Sequence, residues 1–338
     1  MLRNYHNQNH NFHFQYGRFC SGLSTRAQLS FITSNSSFTD GVRKCNPQSN
    51  VISYQTETTT IIGAENHHFE NTSETVNDNI YTTPGHLTLT TSASFLSCEW
   101  RNCEAQNGGG IYISTGNTLT LTVTKGLFYS CKASPNQGGG IYIKEIKTLT
   151  VVDSLFYKCI AEAHDNYGGG GIQMWNIQEP FIIETTSFIS CESGNDGGGV
   201  ATSIDPTWQE ISISHSLFLQ CKGTSTNPEY ISDGGSLMIG NSNAAICCSN
   251  TLFADSHSTS RGGGITCMIN SHSQFIPSIP LFSFCFFKNN SAKTNPGNDI
   301  YIEGWKPTNP FLHCFSLTPT KRVYPNGNDD NWLALRIT

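Results

Sequence analysis

Aspartates beside glycine clusters come nearest to a catalytic set in this sequence. They are Asp165, Asp196, Asp233 and Asp299, and Asp205 and His215 extend the set. Carboxylates grouped on one face of a coil serve as acid and base in glycosidases. However, Asp and Asn also favour tight turns, and the equivalent position holds Asn107 in one repeat and Arg261 in another. We therefore interpret the aspartates as turn residues and expect no catalytic centre and no cofactor.

Thirteen cysteines are the second group with potential chemistry, as disulfides, metal ligands or free thiols. Five occupy the same place in successive repeats: Cys103, Cys131, Cys159, Cys191 and Cys221. Side chains in register on rungs about 4.8 Å apart point the same way, which disfavours the torsion of a disulfide. Paired Cys-x-x-Cys motifs typical of zinc sites are absent from the sequence. The spacing favours a buried ladder of free thiols, with disulfides as the alternative and a metal site as the least favoured.

The aspartates beside glycines and the five cysteines belong to one repeated motif. It consists of an aromatic residue, Cys three positions later, a polar loop, a glycine cluster and a short apolar strand. The first six clusters begin at Gly108, Gly138, Gly169, Gly197, Gly234 and Gly262, and a seventh begins at Gly297. Consecutive clusters are 28 to 37 residues apart, which indicates constant strands joined by variable loops. Alternation and β-branched content predict three strands per repeat: Ile-x-Ile, a Thr-rich run and a Ser-x-Phe piece.

The repeats predict an all-β fold, a right-handed parallel β-helix of about seven clear coils with degenerate coils at its ends. A single coil cannot bury its apolar face, whereas stacked coils pair each strand with its counterpart one repeat later. The crossover rule makes the winding right-handed. We interpret the glycines as corner residues, because a strand follows them and not the Lys-Ser/Thr or helix start of a phosphate-binding loop.

Alternation also sorts the side chains of the Ile-x-Ile strands. The residues expected in the core are Ile111, Ile113, Ile141, Ile143, Ile300 and Ile302. The residues expected in an outward column are Tyr112, Tyr142, Gln173, Met238, Thr266 and Tyr301. Its tyrosines, Tyr112, Tyr142 and Tyr301, form the candidate binding surface, able to stack on sugar rings or dock a protein. Ordinary exposed sheet aromatics are the simpler interpretation.

The repeats divide the chain into four expected regions. Residues 1–20 are rich in Asn, Gln and His and are expected to be disordered. Residues 21–90 are expected to form degenerate coils or an N-terminal cap, residues 91–304 the β-helix, and residues 305–338 a C-terminal cap or tail. The N-terminus lacks the apolar region of a secretory signal. The apolar stretch 275–287 is too short for a membrane helix, so we expect no membrane-spanning segment.

The charge of the chain limits the classes of molecule that the protein is expected to bind. Charged residues make up 13% of the chain, against about a quarter in ordinary globular domains. Few charges suit a stack of coils, because like charges on neighbouring rungs repel. The net charge is −6 with no basic patch, so nucleic acid is not an expected partner. We expect a monomer.

An aromatic-x-x-Asn element that alternates with Gly-Gly-small-Ile resembles the polymorphic outer-membrane protein family. Phe287-Lys288-Asn289-Asn290 and Gly138-Gly139-Gly140-Ile141 carry the resemblance, which covers roughly residues 90–302. It implies a right-handed β-helix displayed on a cell surface or secreted, and linked to adhesion. Cys takes the Asn place in most repeats, as in Cys-bearing β-helix proteins of eukaryotic microbes, and we expect neither a membrane barrel nor a membrane helix after the coils.

Together the residues and the resemblance predict a non-catalytic surface-display or adhesin-like interaction module, with an unidentified protein or glycan as its ligand. The alternative is a secreted polysaccharide lyase or glycoside hydrolase of the pectin-lyase-like fold, because the same coil supports such enzymes. Changing Asp165, Asp196 and Asp233 together to amides should abolish any depolymerising activity, which separates the two predictions.

Overall fold

The chain folds as a solenoid of parallel β-strands in a computed structural model. The structure describes residues 61–63, 74–82, 86–114, 118–162, 168–178, 180–203, 210–225, 233–242, 245–269, 281–293, 298–303 and 332–335. No helix occurs in these ranges, and each strand belongs to one of four sheets. The expected disordered segment 1–20 and most of the region 305–338 lie outside the described residues.

The Phe sheet and the corner sheet are named here for their position in the repeat, with strands numbered along the chain. The Phe sheet contains β1 (Ile61–Gly63), β3 (Ile80–Thr82), β6 (Glu99–Arg101), β10 (Leu127–Tyr129), β14 (Leu155–Tyr157), β18 (Ser187–Ile189), β22 (Leu217–Leu219), β26 (Leu252–Ala254) and β30 (Phe286–Lys288). The corner sheet contains β7 (Glu104–Ala105), β11 (Lys132–Ala133), β15 (Ile160–Ala161), β19 (Glu192–Ser193), β23 (Lys222–Gly223), β27 (His257–Ser258) and β31 (Ser291–Ala292).

The Ile sheet and the Thr sheet complete each coil. The Ile sheet contains β4 (Leu87–Thr88), β8 (Ile111–Ile113), β12 (Ile141–Ile146), β16 (Ile172–Ile177), β20 (Val200–Ser203), β24 (Leu237–Ser242), β28 (Ile265–Ile269), β32 (Ile300–Glu303) and β33 (Trp332–Leu335). The Thr sheet contains β2 (Glu74–Asn77), β5 (Ala93–Leu96), β9 (Thr120–Thr124), β13 (Thr148–Val152), β17 (Phe181–Glu184), β21 (Glu210–Ser214), β25 (Ala245–Ser249) and β29 (Leu281–Ser283).

Equivalent residues of successive repeats pair in parallel register. Phe128 pairs with Trp100 on one side and with Phe156 on the other, and Ile141 pairs likewise with Ile111 and Ile172. The predicted all-β parallel solenoid is therefore confirmed. Sequence analysis missed the corner sheet, because its two-residue strands are too short to show alternation. It also missed the antiparallel pairing of β33 with β32.

The core consists of in-register columns that run through the solenoid. The six isoleucines predicted to point inward are all buried. The largest column is a stack of fully buried aromatic rings whose neighbouring centroids are 4.3 to 4.9 Å apart: Trp100, Phe128, Phe156, Phe188, Phe218 and Phe253. Stacked rings add to the burial energy of the side chains, so the aromatic position of each repeat holds neighbouring coils together.

The early strands β1 to β4 lie within residues 21–90 and join the same sheets as the later repeats. Thus part of the region expected to contain degenerate coils is built from the same pairings as the repeats. The boundaries at residues 20, 90 and 304 stay predictions. None of the described segments forms a helix long and apolar enough to cross a membrane.

Candidate functional site

The turn from the corner sheet into the Ile sheet, here called the glycine turn, requires glycine for two separate reasons. Gly138 has a φ of 72°, a region that side chains rarely adopt. A Cβ on Gly138 would also lie 2.5 Å from the carbonyl oxygen of Ile141, and one on Gly139 would overlap the backbone of Gly170 in the next coil. Of the six predicted corner glycines, Gly169 alone lacks a positive φ. The cluster therefore lets successive coils approach closely.

Charged side chains from three coils meet directly before these glycines. The amide of Asp233 donates a hydrogen bond to Oδ1 of Asp196 over 2.7 Å. Arg261 donates two hydrogen bonds to the carboxylate of Asp233, from Nε to Oδ1 over 2.9 Å and from Nη2 to Oδ2 over 2.5 Å. The guanidinium carbon also lies 4.9 Å from the ring centroid of Tyr301. The cluster therefore links Asp196, Asp233, Arg261 and Tyr301 across the coils.

Burial dominates the electrostatics of this cluster. Asp196 is 4% exposed and Asp233 is 1% exposed. Desolvation raises the pKa of Asp196 well above its usual range, and the negative charge of Asp233 adds to that effect. The carboxylate of Asp233 is occupied by the bidentate contact with Arg261. The two carboxylates are therefore buried and hydrogen-bonded within the glycine turn.

Two further residues of the predicted set, Asp299 and His215, make contacts with asparagine side chains. Asp299 is buried at the position of a cluster glycine and accepts a hydrogen bond from Asn290 Nδ2 over 3.0 Å. His215 lies at the turn from the Thr sheet into the Phe sheet, where its Nε2 is 3.4 Å from Asn250 Nδ2. Asp165 and Asp205 lie outside the described residues.

The five ladder cysteines lie at the turn from the Phe sheet into the corner sheet, here called the thiol turn. All five are buried and none is in a disulfide. Each thiol donates to a main-chain carbonyl of the preceding coil; for example, Cys131 Sγ is 3.3 Å from Trp100 O, and Cys159 Sγ is 3.5 Å from Phe128 O. Burial raises the pKa of the Cys159 thiol well above its usual range, so this side chain acts as a neutral hydrogen-bond donor.

Asn290 explains why Cys and Asn exchange at this position. Its Nδ2 donates to Phe253 O over 3.0 Å, the same type of bond that each thiol makes. Its Oδ1 also accepts the amide proton of Ser256 over 3.1 Å. Asn290 thus makes the bond to the preceding coil that the thiols make, and adds one that it accepts from that coil.

The predicted outward column of the Ile sheet is only partly open to solvent. Tyr112 and Tyr142 are half-buried, whereas Tyr301 is 7% exposed. Gln173, Met238 and Thr266 are fully buried as well. Of the predicted outward column, Tyr112 and Tyr142 are thus the two tyrosines that keep part of their surface exposed, whereas Tyr301 is buried.

At Thr266 the glycine turn accounts for this burial, because the backbone of the turn lies against the outer residue of the strand that follows it. A Cβ on Gly262 would overlap Thr266 Oγ1, and the same hydroxyl donates to the carbonyl oxygen of Arg261 over 3.1 Å. Alternation predicts the direction of a side chain, but it contains no information about a loop that returns over it.

An accessible group of aromatic side chains remains at the N-terminal end of the Ile sheet. This aromatic strip consists of His86, Tyr112, Tyr142 and Trp175, each half-buried. The ring centroid of Tyr112 lies 5.0 Å from that of His86 and 5.6 Å from that of Tyr142. Trp175 Nε1 donates to Gln137 Oε1 over 2.9 Å. Sequence analysis missed His86 and Trp175, because neither occupies the central position of an Ile-x-Ile strand.

Comparison with known proteins finds no match: no protein family, no curated protein and no solved structure corresponds to this chain. The resemblance to the polymorphic outer-membrane protein family therefore stays a prediction that depends on its motifs.

Proposed function

We propose that this protein is a non-catalytic interaction module, displayed on a cell surface or secreted, whose aromatic strip contacts a protein or glycan ligand. The observation that carries the proposal is the half-exposed strip on a rigid parallel sheet, where Tyr112 and Tyr142 stack with an interplanar angle of 18°. The solenoid that presents it is a right-handed monomer of about seven clear coils.

The chemistry of the strip suits recognition. Tyrosine, tryptophan and histidine combine an apolar body with a polar tip, so they bury area and still hydrogen-bond at their edge. Tyr and Trp are enriched in binding surfaces for this reason. The sheet beneath the strip holds the rings in place before binding, which reduces the entropy lost on association.

Support for the alternative, a polysaccharide lyase or hydrolase, is weaker. Its best carboxylates, Asp196 and Asp233, are buried and occupied by bonds within the glycine turn. A glycosidase needs an acid and a base that both reach the scissile bond. Digestion assays with the Asp196→Asn/Asp233→Asn variant address this alternative: polysaccharide cleavage that the wild type performs and this variant loses would favour the enzyme.

A second stacked tyrosine pair gives a matched control for the binding test. Tyr129 and Tyr157 lie on the outer face of the Phe sheet, with centroids 5.5 Å apart and planes at 20°. The full chain, its Tyr112→Ala/Tyr142→Ala variant and its Tyr129→Ala/Tyr157→Ala variant are applied to arrayed glycans and extracellular-matrix proteins. We expect wild type and control to bind at least one of these, and the strip variant to lose that binding.

Two results of the binding test would contradict the proposal. Wild-type protein that binds none of the arrayed ligands, or a strip variant that binds as well as the control, removes the strip as a recognition surface. Antibody labelling of intact cells tests display separately: signal that needs permeabilised cells contradicts exposure on the surface.

A further inference from the structure

Two cysteines outside the ladder touch each other near the last described coils. Cys248 lies on the inner side of β25, and Cys285 lies in the turn between β29 and β30. Their sulfur atoms are 3.5 Å apart. Cys285 Sγ is also 3.4 Å from the carbonyl oxygen of Cys248, so this thiol is directed at one residue of the neighbouring coil.

The geometry of this pair differs from that of the ladder. Ladder cysteines occupy equivalent positions, so their Cα–Cβ bonds run side by side, and a disulfide torsion near 90° is hard to reach. Cys248 instead pairs in register with Phe282, three residues before Cys285. One thiol therefore comes from a strand and the other from a turn. Bond formation requires the two sulfur atoms to close from 3.5 Å to about 2.05 Å.

We propose that Cys248 and Cys285 are a disulfide site, oxidised by a low-molecular-weight disulfide such as oxidised glutathione. The Cys285 thiolate attacks one sulfur of the oxidant and releases one glutathione thiolate, which leaves a mixed disulfide on Cys285. The Cys248 thiolate then attacks the Cys285 sulfur and releases the second glutathione. Two protein thiols lose two protons and two electrons, and one oxidised glutathione becomes two reduced molecules.

The turn that carries Cys285 offers a route for the oxidant. Among the described residues, β29 and β30 are the last strands of the Thr sheet and the Phe sheet. Phe284, directly before Cys285, is 63% exposed and has a φ of 53°, a strained conformation for a bulky side chain. Turns with such features open more readily than the strands of a stack. Opening of this turn exposes Cys285 first, in agreement with its role as the attacking thiol.

A metal site is the competing use of clustered thiols. Among the residues that the structure describes, no group of three His, Cys, Asp or Glu side chains is placed to hold a metal ion. Two thiols alone leave a tetrahedral zinc site incomplete. The pair therefore fits a cross-link better than metal coordination.

The test uses the full native chain in glutathione buffers of increasing oxidised fraction. After free thiols are alkylated, the protein is digested without reductant, and linked peptides are identified by mass spectrometry. We expect a Cys248–Cys285 linked peptide, the loss of two titratable thiols, and a higher unfolding temperature that dithiothreitol reverses. Linked peptides confined to the ladder, or Cys248 and Cys285 both alkylated in the most oxidising buffer, would overturn the proposal.

Matched variants separate the site from its neighbours. Cys285→Ser is expected to fold, because Ser154 and Ser216 occupy the equivalent position in earlier coils. It should lose both the linked peptide and the rise in unfolding temperature. Cys247→Ser changes the adjacent, more exposed cysteine and should keep both. A rise in temperature that persists in Cys285→Ser assigns the effect to another pair and contradicts the proposal.

Discussion

Two turns flank the Phe-sheet strands β14, β18, β22 and β26, and both place a residue with positive φ directly before an inward side chain that can hydrogen-bond. The turn that enters the sheet, here called the hydroxyl turn, uses Ser154, Thr186, Ser216 and Thr251 in successive coils. The turn that leaves the sheet is the thiol turn. The preceding residue has a φ of 51° at Asp153 and 54° at Lys158, so the backbone conformation is nearly the same in both. What differs is the chemistry of the side chain that ties one coil to the next.

A hydroxyl group both accepts and donates, so the hydroxyl turn makes a continuous chain of bonds. Thr186 Oγ1 accepts the amide proton of Ser154 over 3.3 Å and donates to Glu184 O over 2.9 Å. Ser216 repeats the pattern one coil later, with Thr186 N at 3.2 Å and Ser214 O at 2.7 Å. Each side chain satisfies a buried amide that no strand pairing reaches.

A thiol is a weak donor and a weaker acceptor, so the thiol turn depends more on packing. Its cysteines are fully buried in the same core as the aromatic stack. Free Cys behaves there as a small apolar group that fills space between rings and backbone. One backbone conformation is thus stabilised mainly by hydrogen bonds at the hydroxyl turn and mainly by packing at the thiol turn.

The largest expected effect is at the hydroxyl turn. Thr186→Val keeps the side-chain volume but leaves the Ser154 amide without its acceptor, which should lower the free energy of unfolding by about 2 kcal/mol. Urea unfolding of the purified chain measures the loss. The control is Thr150→Val on the outer face of the Thr sheet, where we expect a change within about 0.5 kcal/mol. Equal losses in the two variants would contradict the role assigned to the hydroxyl turn.

Alkaline pH should weaken the thiol turn and leave the hydroxyl turn unchanged, because only thiols ionise in that range. Burial raises the pKa of Cys159 well above that of an unfolded thiol. Its contribution to stability is therefore complete below about pH 8.5 and is lost as the pH rises from there toward its folded pKa. Near pH 9.5 the loss should reach about 1.4 kcal/mol for this thiol.

The measurement compares urea unfolding of wild type and Cys159→Ser between neutral pH and about pH 9.5. The free energy of unfolding of the serine variant should fall less between neutral and alkaline pH than that of the wild type. Parallel curves would mean that this thiol ionises as easily in the folded chain as in the unfolded chain.

The glycine turn, unlike the other two turns, contains a buried carboxyl group, that of Asp196. Desolvation, with a contribution from Asp233, raises the pKa of Asp196. Its stabilising contribution is complete below the unfolded pKa of about 3.9 and is lost as the pH rises through the folded pKa. Asp196→Asn keeps the acceptor for the Asp233 amide and removes that loss, so it should be more stable at neutral pH by about 1 kcal/mol.

Urea unfolding from acidic to neutral pH measures this effect. Asp153→Asn, a change at an exposed turn residue with positive φ, is the control and should differ little from wild type. If Asp196→Asn is less stable than wild type at neutral pH, the contacts of the ionised carboxylate stabilise the fold by more than its desolvation destabilises it.

The three main strands of each coil and the inward isoleucines could be predicted because they depend on a local, repeated pattern. The turns were harder. A strand over the whole Ser-x-Phe piece would include Ser154, whereas β14 begins at Leu155 and Ser154 lies in the hydroxyl turn. Ser-x-Phe fits a strand by alternation, and only the backbone of the neighbouring coil shows which amide the hydroxyl accepts from.

The candidate binding surface shows the same limit. Tyr112 and Tyr301 occupy equivalent positions, yet Tyr301 is buried while Tyr112 is half-exposed. The difference depends on Arg261, which lies 40 residues from Tyr301 and contacts its hydroxyl over 3.3 Å. Local patterns carry no signal for such a contact. His86 and Trp175 were missed for a related reason, since they join the strip through space and not through the repeat.

The smallest expected effect is the replacement of a ladder thiol by a hydroxyl at neutral pH. Ser256 already occupies the ladder position of a later coil, where its Oγ accepts from Cys221 N over 3.2 Å and donates to Ala254 O over 3.1 Å. Cys159→Ser can make the same two bonds, so the gain in hydrogen bonding should offset the lost packing to within about 0.5 kcal/mol. Cys159→Ala makes neither bond and leaves a small void, so it should cost about 1 kcal/mol. If serine proves as damaging as alanine, packing of the sulfur alone holds the thiol turn, and the two turns share a backbone conformation but no exchangeable side chain.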